Sequence, residues 1–300
     1  MRTVRRPYPA AARQVLTHRS LSFSTKRGGF VSPLDSKGTL IPTLDPTLDF
    51  ALHMPAKDTA GGLDQDEEWC EITIDGQRRR ILLHDYAAIF NVEGLYEQLF
   101  ADSLDCDSPN VVCDLLREQL DKSGVDPATL TALDFGAGNG MVGEVLRDHG
   151  IGAIVGVDLL PEARDAAHRD RPGLYEDYYV FDLTQLDREH RAELHNRFDC
   201  LSCVAALGFG DIPPVAFAEA LNFVAANGWI AFNVRDRFFE EEDPTGFGGF
   251  LRRLFREGLL EERARLRYTH RVSVDGEPLD YLAVVACKRE DVPMEWAENA

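Results

Sequence analysis

Ala132-Leu133-Asp134-Phe135-Gly136-Ala137-Gly138-Asn139-Gly140 is an apolar strand running into three alternating glycines, and an amphipathic helical pattern follows at once. The apolar residues supply a buried strand, while the glycines let the backbone turn tightly and approach a ligand without Cβ interference. A helix starting there points its free N–H groups at the negative end of that ligand. A second apolar strand, Ala153-Ile154-Val155-Gly156-Val157, is closed by Asp158, a carboxylate placed to accept the hydroxyls of a ribose. The unit therefore reads strand, glycine loop, helix, strand, acid, which is how a nucleotide-like cofactor is held.

The third glycine falls one place early for the G-x-G-x-x-G of dinucleotide folds. With Asp134 ahead of it, the loop resembles motif I of class I S-adenosylmethionine-dependent methyltransferases. The chain continues in that family's order. Tyr179-Val180-Phe181-Asp182-Leu183 resembles the third strand, ending in the Asp that meets the adenine amino group. Phe198-Asp199-Cys200-Leu201-Ser202-Cys203-Val204 resembles the fourth strand and Asn227-Gly228-Trp229-Ile230-Ala231-Phe232-Asn233-Val234 the fifth. Ala205-Ala206-Leu207-Gly208-Phe209-Gly210-Asp211-Ile212-Pro213-Pro214 is similar to the glycine-rich loop of methyltransferases related to the Williams–Beuren region protein. Asp211 stands where those relatives often have His or another polar residue, and Asn227-Gly228-Trp229 replaces their usual Pro-Gly-Gly. The resemblance spans residues 84 to 289. It implies S-adenosylmethionine as cofactor, bound by Tyr86, Asp134, Gly136, Ala137, Gly138, Asn139, Gly140, Asp158, Leu159, Asp182, Leu183 and Cys203, with Tyr86 reaching the methionine end.

The implied fold is α/β, a doubly wound, mostly parallel, seven-stranded Rossmann-like sheet with an antiparallel last strand, preceded by a β-hairpin and cover helices. Alternating strands and helices with right-handed crossovers give the parallel part. Leu259 to Val274 and Leu279 to Lys288, around Asp275-Gly276, read as an antiparallel pair that closes it, after a helix over 245–257.

Residues 1 to 34 hold seven Arg or Lys and no acid, and residues 35 to 300 carry all 51 acids. The segment reads as a disordered arm; a transit peptide or an overlong start would look the same. Residues 38 to 66 read as a linker with little regular structure. Trp69-Cys70-Glu71-Ile72-Thr73-Ile74 and Arg78-Arg79-Arg80-Ile81-Leu82-Leu83 flank Asp75-Gly76, a hairpin signal with a type I′ turn. A lid, an addition to the sheet edge and a dimer contact all suit that hairpin. Apolar residues from Tyr86 to Phe100 recur at helical spacing, interrupted by Gly94. Ser108-Pro109 starts another helix, with Ser as N-cap, running to about Lys122. The expected organisation is thus an arm and linker (1–66), hairpin and cover helices (67–123), cofactor-binding domain (124–290) and a tail (291–300).

A net charge of −19 disfavours nucleic acid as a partner, because phosphate binding needs a basic patch. Arg252, Arg253, Arg256, Arg263, Arg265 and Arg267 are interleaved with Glu257, Glu261 and Glu262, and read as a solvated, salt-bridged helix face. No apolar run approaches a membrane-spanning length. Six cysteines without a secretory signal make no disulfide framework and suit a reducing compartment, the cytoplasm, with mitochondria the alternative if the arm is a transit peptide. Cys200-Leu201-Ser202-Cys203 has C-x-x-C form, but within a strand the two thiols face opposite sides, so no metal site is expected.

Methyl transfer from a sulfonium needs alignment more than a dedicated catalytic residue, although an alcohol or phenol acceptor would gain from a general base. Candidates are His84, Tyr86 and Asp211, with Asp85 beside them; Asp211 and Asp85 equally suit helix starts. Phe209, Arg235, Phe238 and Phe239 lie beyond strand ends and could shape an acceptor pocket. The expected activity is methyl transfer to a small molecule, with a protein acceptor second, by a monomer or homodimer. A nicotinamide-dependent oxidoreductase and a non-catalytic binding partner are the competing readings.

Overall fold

The computed structural model describes residues 49–56, 62–63, 65–207, 211–236 and 246–300. The basic arm and most of the linker lie outside them. Near the start, β1 (Ala51–His53), β2 (Trp69–Ile74) and β3 (Gln77–Leu82) form a three-stranded antiparallel sheet. Asp75 and Gly76 join β2 to β3 with positive φ angles of 51° and 75°, as a type I′ turn requires. The strand β1 corrects the linker expectation. Three residues are too few to show a period, and β1 exists because β2 offers its open edge, pairing Ala51 with Thr73 and His53 with Glu71.

The cover also departs from the single helix expected over 86–100. A short helix α1 (Tyr86–Phe90) stops before Gly94, and a π-helical segment, Glu97–Ser103, resumes. Asp85 caps α1, its carboxylate accepting from the Ala88 N–H at 3.1 Å. The next helix, α2 (Ser108–Ser123), has Asp107 as its N-cap, so Ser108 is the first helical residue and not the cap. Its hydroxyl is engaged elsewhere, as described below.

The main sheet contains β4 (Thr131–Phe135), β5 (Ala153–Asp158), β6 (Asp177–Val180), β7 (Phe198–Cys203), β8 (Val224–Arg235), β9 (Leu260–Val272) and β10 (Pro278–Lys288). Their order is β6-β5-β4-β7-β8-β10-β9. β4 to β8 are mutually parallel where they pair, and β10 runs antiparallel to both neighbours. The reversal of strand order lies between β4 and β7, the place where ligands bind in open α/β sheets. Helices α3 (Met141–Asp148), α4 (Pro161–Asp170), α5 (Arg188–Leu194) and α6 (Pro214–Asn222) alternate with the parallel strands, and α7 (Phe247–Arg256) and α8 (Met294–Glu298) follow.

Each face of the sheet has its own core. Phe198, Phe217, Phe223 and Phe232 are fully buried on one side, each worth roughly 2–3 kcal/mol of apolar burial. α2 and α3 pack on the other through Val112, Leu116, Val142 and Leu146. Cys203 belongs to the first cluster and Cys200 to the second, so the C-x-x-C thiols do face opposite sides. A third cluster joins the small sheet to the cover. It is tied to the C-terminal hairpin by a buried ion pair in which Arg271 donates to Glu68, whose other carboxylate oxygen accepts from Val274 N–H at 2.7 Å. Arg252, Arg253 and Arg256 are on α7 as a helix face, but Arg263, Arg265 and Arg267 stand on β9. There they pair with Glu261, Glu262, Asp236 and Asp280, so the solvated, salt-bridged character holds and the helical geometry does not. No helix among the described residues is long and apolar enough to cross a membrane.

Candidate functional site

The glycine loop leaves β4 under close restraint. Gly136 and Ala137 N–H groups donate to Val157 O, at 2.9 and 3.1 Å, pulling the loop against β5. Gly136 and Gly138 have positive φ angles. A Cβ on Gly136 would lie 2.8 Å from the Ala206 methyl, and one on Gly138 would lie 3.2 Å from the Phe90 ring. Glycine is thus needed because two other segments, the stretch after β7 and the cover, close on the loop from opposite sides.

Asp158 ends β5 with both carboxylate oxygens on backbone donors, Oδ2 accepting from Gly138 N–H at 2.9 Å and Oδ1 from Leu160 N–H at 3.0 Å. Burial pushes its carboxyl up, and these N–H groups oppose that. Leu159 beside it is exposed, at 60%. Phe181 N–H donates to Asp158 O at 3.0 Å, so the ends of β5 and β6 form one ledge. Asp182 and Leu183 follow, Asp182 accepting from the Thr184 hydroxyl at 2.6 Å and the Thr184 N–H at 2.9 Å, which hold its carboxyl below the usual range, while Leu183 is buried.

Two of the expected cofactor residues point elsewhere. Asp134 is buried beneath the loop and accepts from the Ser202 and Tyr175 hydroxyls, both at 2.8 Å. Burial pushes its carboxyl up to about 6. Its side chain braces the end of β4 instead of facing a ligand, because β7 and the segment before β6 supply hydroxyls there. Cys203 is fully buried in the core and lines neither cavity described next.

Two adjoining cavities meet over the carboxyl ends of β4 and β7. The first is floored by Gly136, Ala137, Gly138 and Asn139, with Met141 at the start of α3. The second is walled by His84, Tyr86, Asp211, His270, Arg271 and Tyr281. Tyr96, Phe100, Cys106 and Ala205 line both and form the partition. Tyr86, expected at the methionine end of the cofactor, is the first residue of α1 and lines the second cavity. Phe90 occupies the place above Gly138, stacked on Tyr96 with centroids 5.1 Å apart.

The partition is clamped. Glu97, on the π-helical segment, accepts from Asn139 Nδ2 at 2.7 Å and Arg171 at 2.8 Å, and Arg171 also reaches Glu144 and Asn139 O. Tyr178 lies across Gly156, where a Cβ would come within 2.7 Å of its ring, and its hydroxyl donates to Gly138 O at 2.8 Å.

In the second cavity His84 Nε2 lies 3.1 Å from Gln65 O, and Nδ1 lies 3.8 Å from Asp211. Asp211 raises the His84 pKa against the lowering effects of burial and Arg271. Asp211 does not cap α6, whose N-cap is Pro213. Arg235 ends β8 and donates to Gln65 at 3.3 Å. Phe209, Phe238 and Phe239 lie outside the described residues. Tyr175, Tyr178, Ser202, Glu97 and His270 had no motif to mark them; each matters only through a partner distant in sequence.

The sequence model of the family described as "Methyltransferase domain" matches residues 106–274. Among solved structures, the chain is similar to N-methyltransferase NodS from Bradyrhizobium japonicum WM9 in complex with S-adenosyl-L-homocysteine. The two share 17% identity over 68% of this chain and 97% of that one, with a TM-score of 0.46. It is also similar to S-adenosylmethionine-dependent methyltransferases from Methanosarcina mazei (15% identity, 57% and 97% covered, TM-score 0.42) and Mesorhizobium loti (16%, 59% and 100%, 0.42). Among curated proteins, none matches the chain significantly.

Proposed function

The chain belongs to the methyltransferase domain family, an enzyme family whose cofactor is S-adenosylmethionine, and we propose that it methylates a small molecule held in the second cavity. The observation that carries this is the pair of cavities meeting at Tyr96, Phe100, Cys106 and Ala205, one over the glycine loop and the other with polar walls. When bound, S-adenosylmethionine supplies a methyl group already activated by the sulfonium charge.

The residues fit that cofactor. The glycine loop offers a surface without Cβ atoms, the first turn of α3 offers N–H donors, and Asp158 has lone pairs left after its two backbone bonds. In this reading Asp158 receives ribose hydroxyls, Leu159 and Leu183 flank the adenine, Asp182 meets its amino group, and Gly136 to Gly140 hold the methionine end. Asp134 acts as a positioning residue by keeping the end of β4 in place. The aromatic partition excludes water and aligns acceptor with donor, which is where the rate gain of an in-line displacement lies.

A small acceptor suits a cavity covered by the π-helical segment, residues flanking the strands of the small sheet and the C-terminal hairpin; the net charge of −19 speaks against nucleic acid. The stretch Ala205 to Pro214 supports kinship with the Williams–Beuren-related group, of which Gly208-Phe209-Gly210 lie outside the described residues. Six free cysteines are consistent with the cytoplasm as the proposed compartment.

Calorimetric titration of the chain with S-adenosylmethionine, S-adenosylhomocysteine and NAD tests the reading. Saturable binding of the two sulfur compounds, lost in Asp158→Ala, is expected. Binding of NAD alone, or of none of the three, overturns it.

A further inference from the structure

The walls of the second cavity carry a cation and two hydroxyls whose donors are not used up by the protein. Arg271 lines the cavity and is only 4% exposed. Its Nη2 donates to Glu68 and its Nη1 to Val272 O at 2.9 Å, so three of the five guanidinium N–H groups have no acceptor among the described residues. Glu68 does not line the cavity, and its other carboxylate oxygen is taken by Val274 N–H. An occupant of the cavity therefore meets the guanidinium and not its counter-ion.

Tyr281 Oη accepts from Gln65 at 3.5 Å, but its O–H has no acceptor among the described residues, and the Tyr86 hydroxyl has no hydrogen-bond partner among them. Burial raises both phenols above their ordinary range, so they keep their protons and donate; the charge of Arg271 opposes this on both, which marks the three groups as neighbours. The rings are fixed in place. Tyr281 stacks on His270 with centroids 4.2 Å apart, Ser108 Oγ lies 2.5 Å from His270 Nδ1, and Tyr86 packs against Phe90 and Phe100. Asp211, a carboxylate that does line the cavity, is exposed and faces His84 Nδ1 at 3.8 Å.

A buried cation and buried hydroxyls with unmet donors cost free energy until an acceptor of matching charge arrives. One positive charge, already shared with Glu68, suits a monoanion with two in-plane oxygens, the shape that a guanidinium edge grips, better than a phosphate dianion. The aromatic walls, Tyr86, Tyr96, Phe100 and Tyr281, suit an apolar body attached to it.

We propose that the methyl acceptor is a small carboxylic acid bound as its carboxylate, with Arg271 as the residue that selects it and Tyr86 and Tyr281 as supporting donors. This rests on the methyltransferase reading. The anchored carboxylate fixes which end of the acceptor turns toward the partition between the two cavities.

Calorimetric titration of the S-adenosylhomocysteine-loaded chain with benzoate, benzamide and phenyl phosphate tests this. Benzoate should bind saturably and about 10- to 100-fold tighter than benzamide, its neutral isostere. In the double variant Glu68→Gln with Arg271→Met, which removes both charges and keeps an acceptor for Val274 N–H, that preference should vanish with S-adenosylhomocysteine affinity unchanged. Tyr281→Phe keeps the ring and the ion pair, should weaken benzoate about 3- to 10-fold, and decides the question alone if the double variant does not fold. No binding of benzoate, equal binding of benzamide, tighter binding of phenyl phosphate, or a benzoate affinity untouched by the folded variants overturns the proposal. A loss of S-adenosylhomocysteine affinity in those variants also overturns it, because Arg271 would then hold the cofactor's own carboxylate. Failure of S-adenosylhomocysteine to bind the wild type overturns the methyltransferase reading instead, and the same titrations of the cofactor-free chain still decide the carboxylate site.

Discussion

Asp134→Asn should change how stability depends on pH. The wild-type carboxyl is buried under the glycine loop, accepts two hydroxyl hydrogen bonds, and is pushed from 3.8 up to about 6. Between those values the folded carboxyl holds a proton that the unfolded one has lost, so stability falls as pH rises through that window. The window spans about two pH units, worth about 3 kcal/mol in all at roughly 1.36 kcal/mol per unit. Asparagine has nearly the same shape, can accept from Ser202 and donate to the Tyr175 oxygen, and does not titrate. Urea unfolding of wild type and variant at a series of pH values from 4 to 8 isolates this one group, because every other titrating group is common to both. The variant should gain about 3 kcal/mol relative to wild type between the acid and neutral ends. Two curves that stay parallel across the range would refute the account of Asp134 as a buried, bracing carboxylate.

Other perturbations have equally definite outcomes. Glu68→Gln leaves Arg271 buried without its carboxylate and should cost about 3–5 kcal/mol in chemical unfolding, whereas a surface pair would cost under about 1. Asp211→Asn should move the His84 titration downward in NMR: the carboxylate is the main raising influence, and burial and Arg271 remain to lower the pKa against Gln65 O, with the Tyr86 ring edge-on. Gly156→Ala puts a methyl group within 2.7 Å of the Tyr178 ring and should displace the hydroxyl from Gly138 O. A loss of about 1–3 kcal/mol of stability is expected, with weaker S-adenosylhomocysteine binding by calorimetry.

What the sequence by itself determined was the part of the protein set by neighbours along the chain. The glycine loop between two apolar strands, the Asp75-Gly76 turn, the opposite faces of Cys200 and Cys203 and the alternation of strand and helix depend on backbone conformation and periodicity within a few tens of residues. Those local rules were enough to reveal the sheet and the glycine loop at the carboxyl end of β4.

Tertiary structure alone decided which polar side chains meet. Glu68 and Arg271 are 203 positions apart, and Ser108 and His270 are 162 apart. A single buried serine or histidine has no period or motif, and its role is set by the donor or acceptor that folding brings to it. The same reason explains the misplaced details. Ser108 looked like a cap until His270 and Tyr268 claimed its hydroxyl, Asp134 looked like a ligand until Ser202 and Tyr175 turned it inward, and β1 had no signal apart from the open edge of β2. Burial makes these choices binding, because a polar group removed from water must take whichever partner lies within reach.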